Sequence, residues 1–161
     1  MPRAHVPQVH HHPAHRLVRW QRIGLYIVGS IALISGLAWL AIHYTIGAGA
    51  GELPHPLEAW CMRLHGLSAF AGLVLLGALS AAHIPQGWRL TQRRRWMRQR
   101  RSGILLSSSA VVLAFTGYLL YYYAPESVRP ALGWLHGAVG VLMAGLCLVH
   151  RRGQRPADSD R

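Results

Sequence analysis

Apolar residues along this chain fall into four long blocks, at about 23–46, 61–84, 103–123 and 131–149, separated by short polar stretches. Each block is close to the roughly 20 residues that cross a hydrocarbon core as a helix rising about 1.5 Å per residue. The pattern predicts an all-α fold, an integral membrane four-helix bundle within residues 23–150. Residues 1–22 hold two kinds of basic side chain among prolines and too few apolar residues to bury anything, so a disordered tail is expected there. Residues 151–161 make a second, shorter polar tail.

Ala48-Gly49-Ala50, just after the first block, resembles a signal-peptidase site. The apolar stretch before it is longer than the roughly 7–15 residues of a secretory h-region, so the block is taken as a retained helix.

Composition agrees with the pattern. Of 161 residues, 52% are hydrophobic and only 14% charged, which is a membrane balance and not a soluble one. A net charge of +12 would suit a nucleic-acid binder, but the arginines cluster at block edges and no soluble domain presents them. Nucleic acid is therefore not an expected partner, and the charge reports topology. All 17 basic residues are Arg, which serves the positive-inside rule as well as Lys. Cys61 and Cys147 fall near opposite faces on this topology and are not expected to pair.

The connections set the orientation. From Trp88 to Arg101 the chain carries Arg89, Arg93, Arg94, Arg95, Arg98, Arg100 and Arg101 without one acid, which places this segment in the cytoplasm. The N-terminal arginines and Arg151, Arg152 and Arg155 fall on the same side, and Glu52, Glu58 and Glu126 on the other. Both termini are expected to be cytoplasmic. Trp20, Trp60, Trp88 and Trp134 mark block ends as interfacial anchors, and Tyr121, Tyr122 and Tyr123 close the third block at the outer face. On this alternation the second and fourth helices run parallel.

Ionisable residues within membrane helices are costly and usually functional, and four histidines lie in these two helices. His65 and His83 are 18 positions apart, which at about 100° per residue is five whole turns. His136 and His150 are 14 positions apart, about 40° short of four turns. Each couple shares a face, and parallel helices set His65 with His136 toward the outer leaflet and His83 with His150 toward the inner. Haem iron takes two axial nitrogens on opposite sides of a flat ring, which imidazoles from facing helices supply. Axial separations of about 27 Å and 21 Å leave room for two stacked haems. Ser68, Ala69, Gly72 and Gly140 follow the outer histidines as small residues where a porphyrin would press, and Leu64-His65-Gly66 repeats as Leu135-His136-Gly137.

These histidines, together with His83-Ile84-Pro85 through Gly87-Trp88-Arg89, resemble the small four-helix dihaem cytochrome b membrane proteins of bacteria, a group that includes subunits anchoring periplasmic redox enzymes. Thr116-Gly117-Tyr118, in a helix without histidine, is similar to small bacterial relatives of that group. The resemblance covers about residues 20–152 and implies bis-histidine b-type haems, transmembrane electron transfer, a bacterial cytoplasmic (inner) membrane and often a quinone site. One feature departs from it: the spacing in the second helix exceeds the roughly 14 positions usual in such cytochromes and that of the fourth helix by about 6 Å along the axis. His43, near the outer end of the first helix, is an alternative ligand for the outer haem.

Anionic haem propionates would be held by arginine near each face: Arg63 and Arg129 outside, and Arg89, Arg100, Arg101 or Arg151 inside. Two six-coordinate haems leave no open position for bond chemistry, so the expected role is a one-electron relay between the quinone pool and a redox partner protein. No segment holds a glycine-rich phosphate loop, so nicotinamide or flavin is not expected. Two features could instead serve other ends. The outer loop from Tyr44 to Trp60 is either a plain connection or a quinone or partner site using His55 or Glu58 for the proton. His5, His10, His11, His12 and His15 are either tail or weak metal ligands. Alternative functions are a haem-free structural subunit using polar residues as helix glue, or a small metal or proton transporter.

Overall fold

The computed structural model describes residues 19–90 and 97–152, apart from the side chains at 82–84, 86–90, 97–99 and 152. Four helices form: α1 (Arg19–Ile46), α2 (Pro56–Leu90), α3 (Met97–Tyr122) and α4 (Arg129–Arg152), with one 3-10 turn at Ala48–Ala50. They are 28, 35, 26 and 24 residues long, and each contains a stretch long and apolar enough to cross a membrane. The chain is thus an all-helical protein with four candidate membrane spans.

Every helix begins before its apolar block. α1 takes up residues 19–22 from the N-terminal tail, and α2 starts at Pro56 and continues through Pro85 to Leu90. The reason is that apolar patterning marks only the part of a helix that meets hydrocarbon. Arg and Trp at the boundaries are competent helix formers whose long side chains reach the polar layer, so the helix outruns the block. Pro85 removes one backbone hydrogen bond without ending α2.

The distribution of side chains is inverted relative to a water-soluble bundle. Among the described residues, the buried polar ones are Ser35, Glu58, Ser68, Ser102, Ser109 and Thr116, and Ala124 is the buried hydrophobic one. Ile34, Leu67, Phe70, Val111, Phe115 and Leu142 are all exposed. In water such an apolar exterior would be untenable. In lipid it costs nothing, because acyl chains are as apolar as leucine, and it is the polar groups that must turn inward.

The helices assemble as two hairpins. α1 packs along α2 with Gly24 against Leu75 and Gly72 against Val28, while α3 packs along α4 with Gly140 against Leu113. The hairpins touch along α1 and α4, where Tyr44 stacks on Trp134 at one end (ring centres 5.5 Å apart) and Arg151 lies 5.4 Å over the Tyr26 ring at the other. These contacts make α1 antiparallel to both α2 and α4. α2 and α4 are therefore parallel, as the alternation of spans requires. Cys61, near the start of α2, and Cys147, near the end of α4, are both free thiols.

The connection from α1 to α2 is locked by one carboxylate. Glu58 Oε2 accepts from His43 Nδ1 at 2.9 Å, and Oε1 accepts from the backbone N–H of His55 (3.0 Å) and Ala48 (3.3 Å). His55 Nδ1 in turn accepts the Leu57 N–H at 3.2 Å, so His55 and Glu58 act as the reciprocal caps of a capping box with Pro56 in the first helical position. His43 is held flat against Trp39, ring centres 4.5 Å apart. A Cβ at Gly47 would collide with the Glu58 carboxylate, whereas Gly51 is needed for its backbone, at φ 87°.

These two glycines give a graded expectation. Gly51→Ala should cost about 1 kcal/mol by forcing a side chain into the left-handed region. Gly47→Ala should lower the melting temperature in detergent more than Gly51→Ala does, because it expels the carboxylate from all three of its partners. Equal effects would show that the Glu58 lock does not hold the hairpin.

Candidate functional site

The two outer histidines meet across the bundle. His65 of α2 and His136 of α4 have ring centres 6.0 Å apart with an angle of 70° between the planes. Both residues are partly exposed, on the sides of the parallel helices that face each other between the hairpins.

Each ring is oriented from behind by the other helix of its own hairpin. His65 Nδ1 lies 2.9 Å from the Ala32 carbonyl oxygen, with Ser35 Oγ at 3.5 Å. A carbonyl has no proton to give, so Nδ1 is the donor. His136 Nδ1 lies 2.8 Å from Thr116 Oγ1, whose own proton is shared between the carbonyls of Val112 (2.8 Å) and Leu113 (3.3 Å). With that proton committed to the helix, the hydroxyl presents a lone pair and Nδ1 is again the donor. Both imidazoles therefore carry hydrogen on Nδ1 and a bare lone pair on Nε2. Among the described residues neither Nε2 has a hydrogen-bond partner, yet no buried side-chain polar atom is left unsatisfied. Both nitrogens are therefore accessible and not buried.

The 6.0 Å between the ring centres matches the separation of two imidazoles that share one metal. Two imidazoles bound on opposite sides of an iron, through bonds of about 2 Å, put their ring centres roughly 6 Å apart. Rotation about the metal–nitrogen axis leaves the angle between the planes unconstrained. Among the described residues no three His, Cys, Asp or Glu side chains converge on a point.

The inner end is described on the α4 side. His150 Nδ1 lies 2.8 Å from Ser102 Oγ of α3, the same relation that His136 has to Thr116 one helix length away. His83 falls on α2, but its side chain lies outside the described residues, as does that of Arg89, and the inner pairing is not visible. The N-terminal histidines also lie outside them.

Other anticipated residues have local partners. Arg63 lies 5.0 Å over the Trp60 ring. Arg129 donates to the Ala124 carbonyl at 3.0 Å and pairs with Glu126 at 3.5 Å, an exposed ion pair of small worth. His43 turns its Nδ1 to Glu58 and presses its ring edge toward Gly49, away from the His65–His136 couple. Gly72 and Gly140, expected to make room for a porphyrin, instead open toward Val28 and Leu113 within the hairpins. They share a face with histidines that lean back on their hairpin partners, and that face is the hairpin seam.

The small residues that do meet the imidazoles lie on the facing helices of the hairpins, α1 and α3. A Cβ at Gly36 would stand 3.2 Å from the His65 ring, at Gly117 3.4 Å from His136, and at Gly103 3.8 Å from His150. Each of these glycines follows the hydroxyl residue beside the same histidine: Ser35-Gly36, Thr116-Gly117 and Ser102-Gly103. They are the three Ser/Thr-Gly dipeptides in the entire chain. That rarity is the sequence signal that marks these positions on α1 and α3.

Comparison with known proteins finds no matching family model, no matching characterised relative and no matching solved structure.

The facing of the two rings has a direct test. In a background with Cys61→Ser and Cys147→Ser, the double variant His65→Cys, His136→Cys should be bridged by a short bifunctional thiol reagent. Gly66→Cys with Gly137→Cys, one position on, should not be, because nothing lies within 4 Å of a Cβ at either glycine.

Proposed function

We propose that this chain is a multi-pass electron-transfer protein of a bacterial cytoplasmic membrane, relaying single electrons across the bilayer through two b-type haems held between α2 and α4. The observation that carries this reading is the His65–His136 couple: ring centres 6.0 Å apart on parallel helices, each Nδ1 tied to its own hairpin and each Nε2 open. His65 and His136 would be the axial ligands of the outer haem, and His150, seated on Ser102, would share the inner one with His83. When bound, the haem supplies reversible one-electron chemistry at an iron with no vacant position.

The chain's part is to hold and insulate. Ala32 and Thr116 fix the two outer imidazoles by their Nδ1 hydrogens, Gly36 and Gly117 let the rings approach the neighbouring helices, and the apolar exterior keeps water from the space between hairpins. Arg63 and Arg129 outside, with Arg89, Arg100, Arg101 or Arg151 inside, would be the cations to meet propionates. Both termini lie in the cytoplasm on this reading, following the arginine distribution. Electrons would come from or go to a membrane quinol or an external redox protein, since no part of the described chain forms a nucleotide-binding domain.

A haem-free structural subunit is the second reading, and the Thr116–His136 and Ser102–His150 contacts favour it, because hydroxyl–imidazole bonds join membrane helices as glue. Glue alone gives no reason for the two rings to come within 6.0 Å of each other with neither Nε2 in a hydrogen bond.

Reduced-minus-oxidised spectra of the detergent-purified protein separate the two. A b-type α-band is expected, and its absence from protein expressed with ample haem would sink the relay. His65→Ala or His136→Ala should each reduce two haems per chain to one, and Gly36→Leu, which drives a side chain into the His65 ring, should remove the same haem, while Gly66→Ala keeps both.

A further inference from the structure

We infer that α3, the helix next to the ligands but without a histidine of its own, sets the reduction potential of the proposed haems through Thr116 and Ser102, which are positioning residues for His136 and His150. The inference rests on the haem reading given above and adds to it which residues govern the electron affinity of the site.

Three observations carry it. The hydroxyls repeat in register with the ligands: Thr116 and Ser102 are 14 positions apart on α3, as His136 and His150 are on α4. Ser109 is buried midway on the same face, so α3 turns a hydroxyl row toward α4. Each contact is 2.8 Å long and each hydroxyl is followed by a glycine that admits the ring. Finally, the two outer ligands are held differently. His65 gives its Nδ1 hydrogen to a main-chain carbonyl on α1, which no substitution removes, whereas His136 gives it to a side chain. The α4 side is where sequence can tune the site.

The direction follows from ligand chemistry. An acceptor on Nδ1–H increases the electron density that the imidazole delivers through Nε2 and so stabilises the oxidised iron. Removing the acceptor should raise the potential. Because the Thr116 hydroxyl gives its own proton to Val112 and Leu113, it acts only as acceptor toward His136, and the effect has one sign.

The test compares Thr116→Val with Thr116→Ser in the full-length protein by spectroscopic redox titration, following the haem that His136→Ala removes. Thr116→Val should raise that midpoint or weaken haem retention 10- to 100-fold, about the range for losing such a partner. Thr116→Ser, which keeps the oxygen, should resemble the unaltered protein, and Ser102→Ala should shift the other haem. A Thr116→Val protein with full haem and an unmoved midpoint overturns the inference, and so does a Thr116→Ser protein as impaired as Thr116→Val. If the unaltered protein binds no haem, the relay reading fails by itself. The Thr116 contact is then judged from the imidazole nitrogen shifts of His136, where Nδ1 protonation lost in Thr116→Val supports the positioning role and identical spectra refute it.

Discussion

An imidazole placed in a hydrocarbon-spanning helix must find partners for two nitrogens without water, and this chain answers that demand for one nitrogen from within each hairpin. Nδ1 of His65, His136 and His150 is bonded to the preceding helix in the chain, to Ala32, Thr116 and Ser102. Those bonds cross the seams that also bring Gly24 to Leu75 and Gly140 to Leu113, so helix packing and ring orientation are one constraint. The consequence for His65 and His136 is that Nε2 is left outside the hydrogen bonding of the hairpin. The two rings themselves come together, with centres 6.0 Å apart. Two hairpins that meet mainly along α1 and α4 thus bring one imidazole of α2 and one of α4 together between them.

The hairpins are versions of one pattern. Ser35-Gly36 stands to Leu64-His65-Gly66 as Thr116-Gly117 stands to Leu135-His136-Gly137, and since α1 and α3 run one way and α2 and α4 the other, the relation is a parallel repeat. It breaks down toward the inner end. Fourteen positions before Thr116 comes the Ser102-Gly103 seat, but fourteen before Ser35 come Gln21 and Arg22. The 18-position interval between His65 and His83 departs from the repeat over the same part of the hairpin. The irregular spacing and the lack of a Ser-Gly pair at 21–22 fall in the same part of the α1–α2 hairpin, so the two hairpins resemble each other at the outer end and differ at the inner one.

How far this could be foreseen depends on what each residue type announces. Four apolar blocks are unambiguous, because few other structures need about 20 consecutive apolar residues, and a histidine inside such a block stands out by its cost. Serine and threonine do not. In a membrane helix their hydroxyls commonly bond back to the carbonyl four residues earlier, as Ser35 and Thr116 do here, and that innocuous role hides the second one, accepting from an imidazole. Glycine is equally ambiguous between close helix packing and room for a ring, which is why Gly72 and Gly140 were natural choices and Gly36 and Gly117 are the ones that touch the imidazoles. Glu58 was legible as an outer acid but not as a cap, because its partners His43, Ala48 and His55 lie on three different segments.

That cap bears on the site through the register of the hairpin. Glu58 is seven residues before His65 on α2, and His43 is seven after Gly36 on α1, so the His43–Glu58 bond and the Gly36–His65 contact are successive rungs of one seam, about two turns apart. Fixing the outer rung fixes the rotation of α2 about its axis, and with it the direction of the His65 ring. The α3–α4 hairpin has no such carboxylate, and its short outer turn leaves His136 to be set by Thr116 alone. The two ligands of one proposed haem are therefore held to different degrees: one through a buried ionisable lock and a main-chain carbonyl, the other through a single hydroxyl. A relay site gains from that division. On the proposed reading, a ligand that cannot move would keep the geometry constant as the charge on the iron changed, and a ligand held by one side chain would let the potential be adjusted without disturbing the fold.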